Sequence, residues 1–162
     1  LRSGMVHAIT PAEEYWIGPG IDITRVFDAP RERVWREWTE AEAFADWFGG
    51  TEAHVPLDTV AMDVRPGGEW RLTMRFGPER HEIRWRGEYR EVVEPERLVF
   101  TVTDRPDDDA REVVIVDLVD LGDGRTEMRF QQRGGGLAPE EYERAGSGWG
   151  VFFDRVDARL AA

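Results

Sequence analysis

Near the end of the chain, apolar side chains recur at spacings of three and four. Trp149, Phe152, Phe153, Val156 and Leu160 therefore fall on one stripe of a helix. Pro139 suits the first turn of that helix, because the N–H it lacks would have no partner there. Elsewhere the period drops to two. Ile21, Ile23, Arg25 and Phe27 alternate with Asp22, Thr24 and Val26, and Trp70, Leu72, Met74 and Phe76 share one face of another strand. Ala29-Pro30 opens a short helix that buries Val34, Trp35 and Trp38, and Glu40 to Trp47 makes a second with Phe44, Trp47 and Phe48. Further strands are expected at about 57–65, 69–77, 82–93, 97–104, 112–121 and 125–133, divided by turn signals such as Pro66-Gly67-Gly68 and Gly122-Asp123-Gly124. With the strand at 21–28 this makes about seven strands, two short helices and one long closing helix. Helices segregated against an antiparallel sheet define an α+β fold.

Composition then narrows the chemistry. At 162 residues, 41% hydrophobic, the chain can bury a real core, and residues 21–162 read as one domain behind an N-terminal tail of 1–20. Leu1 to Gly4 precede Met5 and have the look of an expression remnant. A net charge of -12 opposes nucleic acid and anionic membrane surfaces as partners. No apolar run approaches the roughly 20 residues of a membrane span, so a cytoplasmic protein is expected. There is no cysteine and no lysine, which removes thiolate chemistry, cysteine-held metals, lysine Schiff bases and the phosphate-loop lysine. Ser147 lies in Ala145-Gly146-Ser147-Gly148-Trp149, where Ala145 and Trp149 occupy the glycine positions of a nucleophile elbow. Asp104, Asp107, Asp108 and Asp109 lack calcium-loop spacing and read as a solvated acidic turn. His54 and His81 sit outside any motif. No catalytic residue, metal or cofactor is expected.

What remains is an aromatic interior facing the closing helix. Trp38, Trp47, Phe48, Trp70, Trp85 and Trp149 offer more flat apolar surface than a compact core of this size requires, and Met62 and Met74 adapt to irregular shapes. Leu72, Phe100, Phe130 and Phe153 complete the expected lining of a cavity. Tyr89 and Gln132 share parity with its aromatic face and are the expected polar contacts to a ligand. Gly146, Gly148 and Gly150 each lower helix propensity by roughly 1 kcal/mol, so they mark a kink or a close approach of helix to sheet or ligand.

Four ordered segments carry a resemblance. Ile23-Thr24-Arg25-Val26-Phe27-Asp28-Ala29-Pro30-Arg31-Glu32-Arg33-Val34-Trp35, Asp63-Val64-Arg65-Pro66-Gly67-Gly68-Glu69-Trp70, Val93-Glu94-Pro95-Glu96-Arg97-Leu98-Val99-Phe100 and the late Gly148-Trp149 resemble the homologues of the Hsp90-ATPase-activator C-terminal domain, within the START-like superfamily. The resemblance implies a helix-grip: a bent antiparallel sheet wrapped around a long C-terminal helix, with a cavity between them. It also implies a choice of functions, since fold does not fix function. The expectation is non-catalytic sequestration of a hydrophobic, polycyclic or polyketide-like molecule, in one version an enediyne-type antibiotic bound by its producer for self-resistance. The alternative is an enzyme of the polyketide cyclase or aromatase type. A chaperone partner is disfavoured, because the additional N-terminal domain of the full-length activator has no counterpart here. The protein is expected as a monomer or homodimer.

Overall fold

The computed structural model describes residues 19–105 and 107–162; the tail expected at 1–20 lies outside them except for its last two residues. Strand β1 (Gly20–Phe27) leads through Ala29-Pro30 into helices α1 (Arg31–Thr39) and α2 (Ala41–Trp47). Two short strands, β2 (Ala53–His54) and β3 (Ala61–Met62), precede the long ones: β4 (Glu69–Phe76), β5 (His81–Val93), β6 (Arg97–Val102), β7 (Glu112–Asp120) and β8 (Thr126–Arg133). Helix α3 (Pro139–Ala161) closes the chain. The eight-stranded sheet is antiparallel in the order β1-β8-β7-β6-β5-β4-β2, with β3 also on β4. It is an α+β helix-grip. The strand expected at 57–65 is instead a one-turn 3₁₀ segment, Leu57–Thr59, followed by β3. Thr59 explains the turn: its hydroxyl bonds the Pro56 carbonyl at 2.7 Å and accepts the Thr73 N–H at 3.1 Å.

The sheet bends because β5 serves two partners. Its first part pairs with β4 and its last part with β6, with a register shift between Tyr89 and Glu91. Gly87 lies at the bend, and a Cβ there would stand 1.7 Å from the Thr101 carbonyl oxygen. That same oxygen accepts the Trp70 indole N–H at 3.0 Å. Outward residues pair across strands as the alternation predicts, Arg75 with Glu82 and Arg86 with Glu69. Such exposed pairs add little to stability.

Helix α3 is unbroken through its three glycines. Gly146 approaches Ile21 of β1 at ordinary contact distance, whereas a Cβ on Gly148 or Gly150 would meet nothing within 4 Å. Of the two expectations, a kink or a close approach, the contact of Gly146 with β1 is the approach, and the helix itself continues without a break.

Candidate ligand-binding site

The second half of α3 is packed solid. Trp38 stacks on Phe130 and meets Trp47 edge-on with centroids 4.8 Å apart, and Phe153 lies 5.2 Å from Phe130. Trp47 and Phe153 are 0% exposed. Trp47 also donates its indole N–H to the Glu37 carbonyl at 2.7 Å, a bond that ties α2 to α1. Trp70, Leu72, Met74 and Phe100 extend this core along the sheet. Met62, opposite Trp70 on β3, is partly buried against it. Tyr89 is buried beside Phe100; burial, followed by the nearby Asp63 charge, pushes its phenol well above the usual range. The chamber expected beneath the whole helix is thus largely filled by the protein's own rings, and these residues form its core.

Open space begins where the first half of α3 crosses the ends of β5 to β8. A cavity of about 630 Å³ lies there, and of the residues expected to line it Phe48, Trp85, Gln132 and Trp149 do so. Val102, Leu137 and Phe152 extend the apolar wall, and Gly148 leaves part of the helix side bare. Asp104, Arg105, Asp108, Glu141 and Arg144 ring the mouth, so part of the acidic turn belongs to the rim.

A polar relay crosses the inner wall. Trp149 donates its indole N–H to Gln132 Oε1 at 2.7 Å, Gln132 Nε2 donates to Glu112 Oε1 at 3.0 Å, and the Tyr142 hydroxyl donates to Glu112 Oε2 at 3.0 Å. Burial, the Glu112 charge and this hydrogen bond together push the Tyr142 phenol up. Gly135 makes the arrangement possible: a Cβ there would sit 1.7 Å from Glu112 Oε2. In contrast, the Trp85 indole N–H is shielded from solvent and has no acceptor among the described residues. An unpaired buried donor of this kind costs about 1–3 kcal/mol and calls for an explanation.

Glu112 and Tyr142 were not anticipated, although the signal existed. Glu112 shares inward parity with Val114, Val116 and Leu118, and Tyr142 stands two helical turns ahead of Trp149 on the buried stripe. His81 is exposed at the start of β5 beside Glu79. Among the described residues, no three acidic or histidine side chains converge to hold a metal, and no helix is long and apolar enough to cross a membrane.

The bent sheet, the two-helix grip and the long closing helix define a START-like protein. Residues 28–161 match the family described as activator of Hsp90 ATPase homolog 1-like protein, and the chain belongs to that family. Protein CV1439 from Chromobacterium violaceum is similar in structure, with 24% identity, a TM-score of 0.77, and coverage of 88% of this chain and 97% of that one. CalU16 from Micromonospora echinospora matches with 19% identity, a TM-score of 0.65, and coverage of 87% and 75%. PFC0360w, an HSP90 activator from Plasmodium falciparum, matches with 18% identity, a TM-score of 0.68, and coverage of 89% and 97%. At these identities the likeness concerns the fold. No curated protein matches the chain.

Proposed function

We propose that the protein binds a hydrophobic small molecule with a flat, conjugated body in the cavity beside the first half of α3, and holds it without transforming it. The observation carrying this reading is Gly148. It sits in a helix where alanine would be favoured by about 1 kcal/mol, no neighbour lies within 4 Å of its missing side chain, and the space it leaves is part of the cavity. Packing gives no reason for glycine there; keeping room for a guest does. Aromatic walls of Phe48, Trp85, Trp149 and Phe152 suit a ring system, whose burial contributes on the order of 25 cal/mol per Å². Titration with anthracene or a similar polycycle should quench tryptophan fluorescence. Gly148→Leu, which fills the space, should weaken that binding by about tenfold or more while leaving the thermal midpoint unchanged or higher. Unaltered binding in this variant would sink the reading.

Within that reading, an enediyne-type antibiotic held for self-resistance is the narrower possibility. Gly148 supports it, because a glycine at the cavity wall exposes its Cα hydrogens to a reactive guest. A second reading, a polyketide cyclase or aromatase, draws on the Tyr142–Glu112 pair, a carboxylate at the cavity wall and the phenol that donates to it. Tyr142→Phe separates the two: unchanged affinity with lost product formation would favour the enzyme.

A further inference from the structure

Resting on the binding reading above, we infer that the guest carries a protonated amine, or an equivalent cationic nitrogen, and that Glu112 receives it. The Glu112 carboxylate is held by two neutral donors, the Gln132 amide and the Tyr142 hydroxyl, and among the described residues by no guanidinium. Each oxygen therefore keeps acceptor capacity, and no cation among the described residues bonds the carboxylate, beside the apolar Val102, Leu137 and Phe152 of the same cavity. Partly enclosed sites amplify such a charge, so a ligand cation gains more there than in water. At the mouth Asp104 and Asp108 match Arg105 and Arg144 in number, so the rim does not offset the Glu112 charge. The positive end of α3 does not cancel it, because Glu140 and Glu141 already occupy the first turn. Gly135 leaves room for this placement: a Cβ there would overlap Glu112 Oε2, so the carboxylate would have to shift.

Three probes test the inference by tryptophan quenching at neutral pH: an anthracene ring bearing a methyl, an aminomethyl or a carboxylate group. The aminomethyl compound should bind about tenfold or more tighter than the methyl compound, and the carboxylate most weakly. Glu112→Gln should erase the amine's advantage, bringing the ratio of aminomethyl to methyl affinity close to one. Gly135→Ala, which displaces the carboxylate without altering its charge, should do the same and provides a second route if Glu112→Gln does not fold. Equal affinity of the wild-type protein for the methyl and aminomethyl compounds overturns the inference and leaves the cavity reading standing. An amine preference that survives both substitutions overturns the assignment to Glu112. Absence of quenching by all three probes overturns the inference together with the reading beneath it.

Discussion

The two ends of α3 each border a hollow of similar size but opposite chemistry. Toward the C-terminus, about 500 Å³ lies among charged side chains, of which Arg159, Glu37 and Asp46 pair with one another. Arg159 grips Glu37 through two nitrogens, at 2.6 and 3.2 Å, and also reaches Asp46, which Arg155 bonds at 3.0 Å. Arg33 caps the same helix end by donating to the Leu160 carbonyl. Toward the N-terminus, about 630 Å³ lies among aromatic rings, a bare glycine and, among the described residues, an indole N–H without an acceptor and a carboxylate without a counter-cation. Volume does not distinguish a binding site from a structural clasp; unsatisfied chemistry does. One end of the helix is anchored so that the other can be left open.

The contrast breaks most severely at the anchored end. Phe153→Ala, which empties a fully buried ring position, should destabilise the protein by about 3–5 kcal/mol in urea unfolding. A loss below about 1 kcal/mol would mean that this end is not the solid core described. Glu37→Ala leaves Arg159 with Asp46 alone and should cost about 2 kcal/mol, less than a fully buried pair because Arg159 keeps that partner and contact with solvent. At the open end the sign reverses. Gly148→Ala should raise stability by up to about 1 kcal/mol, and a marked loss there would show the space to be less open than described.

The smallest effects are those of pH, and they too divide between the two ends. Against the cost of partial burial, the Arg159 and Arg155 guanidiniums hold the Asp46 carboxyl below the usual carboxylate range. Its contribution is therefore present above the ordinary value and lost as pH falls through the lowered one, so acid should loosen the clasp first. Burial and Glu112 raise the Tyr142 phenol, whose contribution is complete below the ordinary tyrosine value and lost as pH rises through the raised one. Hydrogen exchange along α3 should show acid opening the C-terminal half and alkali the N-terminal half. The reverse pattern would contradict both assignments.

Periodicity made most of the architecture legible. The stripe of Trp149, Phe153, Val156 and Leu160 and the alternation of Trp70, Leu72 and Met74 each name their buried faces without any tertiary information. Short pieces escaped: β2 and β3 are two residues each, too brief to show a period, and Thr59 turns the chain through a local hydroxyl bond. The site was legible in kind and less so in place. Parity shows that Trp38, Trp47 and Phe130 point inward, but whether an inward ring meets another ring or empty space depends on three elements converging, which no single segment encodes. Phe48, Trp85, Gln132 and Trp149 lie at the edge of the ring cluster, where α3 changes from large residues to glycines. Glu112 was overlooked because a charged residue at the start of a strand resembles an exposed end, and only its parity with Val114 betrays its direction.

Indole N–H resonances offer the most direct test that a guest enters beside the first half of α3 and not among the core rings. Titrating a ¹⁵N-labelled sample with an anthracene probe should move the Trp85 and Trp149 signals and leave those of Trp47 and Trp70 in place. Shifts in Trp47 and Trp70 with Trp85 and Trp149 unmoved would contradict the account.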